Sequence, residues 1–396
     1  MNTKIRLTLM NFLQYAVWGA WLISLGAYLG NTLKFDGLQI GSFFATMGIA
    51  SLFMPAVMGI IADRWIPAQR LLGLCHLFAA GFITLAATRT DYNSLYTLVL
   101  LSVMFYMPTI ALSNSVAYNA LEKAGLDTVT HFPPIRVWGT VGFICAMWVV
   151  DLGKMGLSAT QLYFSATLGL ILGLYSFTLP NCPINRSGGG KSIVDLLGLR
   201  AFALFKQRKM AIFFIFSMLL GMSLQITNAF ADGYIKSFGD TGIHGAKYLG
   251  TFGVEHSTIL ISLSQISETL CILLIPFFLK RFGIKRVMLI AMFAWVLRFA
   301  LLGAGNPGPG VWMFILSMIV YGVAFDFFNI SGSLFVEKET SAAIRSSAQG
   351  VFMIMTNGLG ALIGSYLAGW VVNHYGWPLS WYLFAGFSLV VAIVFA

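Results

Sequence analysis

Residues 311–335, VWMFILSMIVYGVAFDFFNISGSLF, decide the fold. The run is long enough to cross a bilayer as one helix, and its sole charge is Asp326. A carboxylate at bilayer depth costs roughly 2.5–3.5 kcal/mol on insertion scales. Glu268 sits in the same way near the middle of the apolar run 256–279. A chain that keeps such groups reads as a membrane protein whose buried acids handle protons or hold a ligand.

The rest of the chain repeats the pattern. Apolar stretches recur at roughly 7–30, 38–62, 70–88, 95–120, 136–151, 160–180, 210–236, 256–279, 286–304, 311–335, 343–372 and 379–396. Most have the length that a bilayer demands of a helix. Of the 396 residues, 58% are hydrophobic and 10% charged, with a mean hydropathy of +0.83. Soluble domains are nearer a quarter charged. The expected fold is therefore all-α: a polytopic membrane protein with twelve transmembrane helices. The first stretch runs on to about Gly30 without a small-residue cleavage site, so it reads as a helix and not as a removed signal.

A net charge of +10 invites a nucleic-acid reading, but the placement of the charges argues against one. Only Lys34, Arg89, Lys154, Lys236 and Lys247 fall at one set of span ends, while Arg136 and Arg298 lie at or within spans. The other basic residues gather at the opposite ends, which puts the N-terminus in the cytoplasm. The four cysteines and five histidines form no metal-ligand spacing, so neither a metal site nor a disulfide is expected.

Residues 181–209 form the longest polar segment, with Ser187-Gly188-Gly189-Gly190 at its centre and a short interfacial helix expected over 193–205. They divide the chain into six-helix bundles over 1–180 and 210–396. Related basic turns, Gly59 to Trp65 and Lys280 to Arg286, follow the second and eighth stretches and support two repeats.

Four segments concentrate polar groups at bilayer depth. Arg136, Thr140 and Phe143 share a face of the fifth helix. Gln225 and Asn228 are three apart in the seventh, and Gln265 and Glu268 three apart in the eighth. Tyr321, Phe325, Asp326 and Asn329 cluster in the tenth. Each has a bland reading: amides bond neighbouring helices, aromatic rings pack, and the acids pair with Arg298 or Arg136. As a set they suit a polar, uncharged, ring-containing solute, because carboxylates and amides grip hydroxyls or base edges and aromatic faces stack on a heterocycle. An acid in low dielectric loads a proton on one side and releases it on the other, which is a mechanism for symport. A nucleoside and a sugar both fit. Asp63 and Arg64, at the cytoplasmic end of the second helix, read as a gating pair.

The strings around these positions resemble those of the nucleoside:H+ symporter family of the major facilitator superfamily. They are Asn11 to Tyr15 with Trp18-Gly19, Phe132 to Phe143, Leu224 to Asn228, Ser264 to Thr269, and Tyr321 to Gly332 followed by Phe335-Val336-Glu337. The resemblance implies the fold of that superfamily, with alternating access around a central site. It implies substrate contacts at Arg136, Thr140, Phe143, Gln225, Asn228, Gln265, Glu268, Tyr321, Phe325 and Asn329, and proton coupling at Asp326. It further implies a monomer in a bacterial inner membrane that imports purine and pyrimidine nucleosides such as uridine and adenosine. The proton gradient drives it, and no cofactor is needed. A sugar symporter or a non-transporting nucleoside receptor is the alternative. One departure is Asp232, where the resemblance leads to an amide; an altered proton path or a solvated acid is the expectation there.

Overall fold

In a computed structural model, residues 2–184, 199–244, 246–341 and 344–396 are described, and among them the chain is all helix. Helices α1 (Thr3–Gly19), α2 (Gly37–Arg64), α3 (Ala68–Ala86), α4 (Tyr92–Lys123), α5 (Thr128–Leu152) and α6 (Thr160–Ser176) precede the polar segment. After it come α7 (Arg208–Ser237) and a kinked helix, Ser257–Ala304, that turns at Gly283 (φ 74°). Its arms, 257–282 and 284–304, are α8 and α9. The chain continues with α10 (Val311–Glu339), α11 (Ala361–Tyr375, preceded by Arg345–Met353 and a wider turn over Ile354–Gly360) and α12 (Leu379–Phe395).

Each of the twelve apolar stretches thus has a helix within it among the described residues. Eight of the helices are long and apolar enough to cross a membrane, with Ser257–Ala304 counted once. α1, α6 and α12 are slightly shorter, at 17 residues each. The fifth helix begins eight residues upstream of the apolar run that announces it. Asp127 accepts from the backbone N–H and the hydroxyl of Thr130 and so caps its first turn, and Pro133 and Pro134 continue the helix. Hydropathy is blind to such a start. Of the polar segment, residues 185–198 lie outside the described residues, including most of the expected interfacial helix; Leu199–Lys206 forms a tight helical turn.

Large apolar side chains line the outside, as the stripe Ile266, Leu270, Leu273 and Phe277 on α8 does. In water such a stripe would be a liability; against acyl chains it is solvated. Asp91 caps α4, and the bond from the Ser94 backbone N–H holds its carboxyl below the usual carboxylate range.

The chain divides into two compact units, Met1–Leu22 with Thr46–Leu197, and Ile23–Ala45 with Gly198–Ala396. The segment Ile23–Ala45 packs within the second because glycine lets backbones meet. A Cβ on Gly26 would stand 2.0 Å from the Ala229 carbonyl oxygen, and one on Gly41 would stand 2.2 Å from that of Ser365.

Candidate functional site

In the first unit, α1 and α5 lie side by side. Arg136 of α5 places its guanidinium over the ring of Tyr15, 3.9 Å from the centroid. Gly139 makes this possible, since a Cβ there would sit 2.5 Å from the Tyr15 ring and 2.8 Å from an Arg136 nitrogen. One turn on, Phe143 is buried edge-on against Trp18, with centroids 6.3 Å apart. Thr140 lies half-buried between Arg136 and Phe143 on the helix. The face expected from spacing is therefore present, and it has a second wall, Tyr15 and Trp18, that the sequence reading gave no role. Their own spacing along α1, three apart, is the signal that could have found them.

In the second unit, Asn228 donates to the Oε1 of Gln225 at 3.3 Å, so the two amides of α7 act as one group. On α8, Gln265 has a buried Oε1 with no hydrogen-bond partner among the described residues. Glu268, one turn further on, is half-buried. On α10, Tyr321 and Phe325 stack almost parallel, 5.7 Å apart and inclined by 7°. Asp326 is 3% exposed, and its Oδ2 has no hydrogen-bond partner among the described residues. Its charge interacts with that of Glu268, and both bear on the Tyr321 phenol. Phe325 and Asn329 line a cavity of about 20 Å³ with Leu224, Trp295, Thr356 and Asn357, which has room for a water molecule. The α8 and α10 residues come together because these helices pack tightly at Gly322, whose Cα faces the Ser267 backbone.

Arg298 does not neutralise the acids. Buried in α9, it donates to the Ser317 carbonyl at 2.6 Å and to Ser264 Oγ at 3.4 Å, and its guanidinium lies 4.7 Å from the Tyr321 ring centroid. The bland reading of a buried pair between Arg298 and Glu268 or Asp326 therefore gives way. The cation is held instead by a carbonyl, a hydroxyl and an aromatic face.

Asp232 corrects an expectation. It is not solvated: at 1% exposed it is among the most buried of the described acids. Lys236 donates to its Oδ2 at 2.7 Å, and Ser257 and Thr258 donate to its Oδ1 at 2.5 and 3.1 Å. Ser257 and Thr258 open α8, so the carboxylate also meets that helix's N-terminal dipole. It ties α7 to the start of α8. Asp63 and Arg64 are exposed at the end of α2, and their side chains make no hydrogen bond or ion pair among the described residues. Among the described residues there is no cluster of metal-ligating side chains.

The sequence profile of the Nucleoside H+ symporter family matches residues 1–396. The nucleoside permease NupG of Escherichia coli strain K12 is 50% identical over 402 residues, covering 100% of this chain and 95% of the permease. The xanthosine permease of the same organism is also 50% identical, with the same coverage. A crystal structure of the nucleoside transporter NupG superposes with a TM-score of 0.93 at 51% identity, over 100% of this chain and 98% of that one.

Proposed function

The chain belongs to the nucleoside H+ symporter family, with the fold of the major facilitator superfamily, and from that premise we propose how its residues divide the work. It is a multi-pass membrane transporter that couples nucleoside import to protons, and not an enzyme. Asp326 is the proton carrier. The supporting observation is a buried carboxylate with an oxygen that no donor meets among the described residues, within charge range of a second acid. Like charges in one low-dielectric region oppose each other, so occupancy of one acid is felt by the other. Glu268 takes the nucleoside: its oxygens suit paired bonds from ribose hydroxyls or a base edge. Loading a proton on Asp326 removes a charge that Glu268 would otherwise oppose, and this links proton and nucleoside.

The remaining contacts follow their chemistry. Gln225, Asn228, Gln265 and Asn329 offer amides to base edges and hydroxyls. Phe143, Tyr321 and Phe325 offer ring faces to the nucleobase, while Arg136 and Thr140 donate. Asp63 and Arg64 serve as a gate at the cytoplasmic end of α2. The working halves are the six-helix segments 1–180 and 210–396, joined through 181–209. The protein acts as a monomer in a bacterial inner membrane, N-terminus inside, on nucleosides such as uridine and adenosine, with no cofactor beyond the proton gradient. The charge distribution supports this orientation.

The test is uptake of labelled uridine into proteoliposomes under an imposed pH gradient. Accumulation that a protonophore abolishes is expected. Binding without accumulation would make the protein a receptor and sink the assignment of Asp326.

A further inference from the structure

The first unit contains a buried polar chain that the division of labour above leaves unused. Gln14 of α1, His76 of α3, and Tyr106 and Thr109 of α4 are all buried. Gln14 Nε2 donates to Thr109 Oγ1 at 2.7 Å, and the Thr109 hydroxyl donates to the Tyr106 carbonyl at 2.6 Å. With its hydrogen committed to that carbonyl, Thr109 Oγ1 accepts from Gln14. The Gln14 oxygen is therefore the atom facing His76, 2.8 Å from Nε2. An amide oxygen only accepts, so the imidazole carries a hydrogen on Nε2. Its Nδ1 has no hydrogen-bond partner among the described residues.

The chain closes on itself, because the Tyr106 hydroxyl donates to the Gln14 carbonyl at 2.7 Å. The Tyr106 ring is held as well: His76 meets it edge-on at 5.9 Å, and Trp18 leans on it at 5.8 Å. Trp18 is one turn beyond Gln14, and it also meets the ring of Phe143. Tyr106 is thus fixed by its hydroxyl on α1, by its backbone carbonyl on Thr109 of its own helix and by rings from α1 and α3, and its phenol backs the Trp18–Phe143 pair. Apolar packing alone would fill this space without the desolvation cost of four polar groups; what hydrogen bonds add is direction.

We infer that His76, acting through Gln14 and Tyr106, is a positioning residue that sets the pose of the aromatic pair Trp18–Phe143 for the nucleobase. This rests on the reading of Phe143 as a substrate contact. It predicts that the donor on Nε2 matters, not the ring itself.

The test compares His76→Gln, His76→Asn and His76→Leu in the full chain, by labelled-uridine binding, saturation kinetics of uptake and thermal unfolding. A glutamine amide nitrogen reaches the place of Nε2, whereas an asparagine amide nitrogen reaches only that of Nδ1. Expected are an affinity loss of about tenfold for Leu and Asn, the scale of one buried hydrogen bond, and recovery to within about threefold for Gln. The maximal rate under a pH gradient should hold in all three. Phe143→Ala is run alongside, and combined with His76→Leu it should weaken binding no further than it does alone. Equal affinities for Asn and Gln, additive losses, or a lower unfolding temperature at unchanged affinity would each overturn the inference. If Phe143→Ala itself leaves affinity intact, the reading of Phe143 falls first, and the positioning role falls with it. Should His76→Leu fail to fold, the Asn and Gln pair alone decides.

Discussion

Asp232 and Asp326 are buried carboxylates of the same unit, held in opposite ways. Asp232 receives a lysine, two hydroxyls and a helix N-terminus, and both of its oxygens are engaged. Asp326 is buried with an oxygen that no donor meets among the described residues, and the charge of Glu268 reaches it. The first arrangement spends its donors on joining α7 to α8. The second leaves the charge negotiable. Burial of an acid is thus not itself a mark of function in this protein; the donors around it are.

Substitutions at the two positions should break this contrast cleanly. The largest effect is expected for Asp326→Asn, which should abolish gradient-driven nucleoside accumulation while uridine binding survives, as read by uptake and by binding on the same preparation. Full accumulation would remove Asp326 from coupling. Asp232→Ala should do the reverse. It strips the counter-charge from Lys236 and should cost about 1.5–3 kcal/mol of stability in thermal unfolding, with proton coupling intact in the protein that folds. Loss of coupling without loss of stability would reverse the two roles.

Glu268→Gln should weaken nucleoside affinity by about 1–3 kcal/mol while leaving accumulation proton-dependent, because it removes a charged partner and not the proton carrier. An unchanged affinity would make Glu268 structural. Arg298→Lys keeps a cation beside Tyr321 but gives up the planar face, and should cost about 0.5–1 kcal/mol in affinity. Asp91 gives the smallest effect and completes the series as an exposed acid. Its carboxyl is held low by Ser94 in the folded state, so the cap contributes fully above the unfolded value and fades as pH falls through the lowered one. Asp91→Asn, which caps without titrating, should flatten that acid-side slope in unfolding measured against pH.

Much of this was legible in the residues. Length and hydropathy marked each span, because a bilayer imposes one length on every helix that crosses it. The polar groups stood out as well, since Glu268 and Asp326 are costly where they lie, and helical periodicity put Arg136, Thr140 and Phe143 on one face. The apolar run for α5 is too short for a span and so points to an upstream start, which a cap and two prolines supply in polar sequence. Hydropathy left Gln14, His76 and Thr109 unremarked, because lone polar residues on separate helices share no period.

Chain composition and periodicity were enough to place the spanning helices and to mark which side chains are expensive in lipid. What those side chains meet emerged with the packing of the helices. That packing gave Asp232 a full set of donors and left Asp326 short of one, and it turned Arg298 to a carbonyl and a ring and away from an acid. The reason is physical: helix formation depends on neighbours along the chain, whereas the state of a buried charge depends on donors that arrive from other helices.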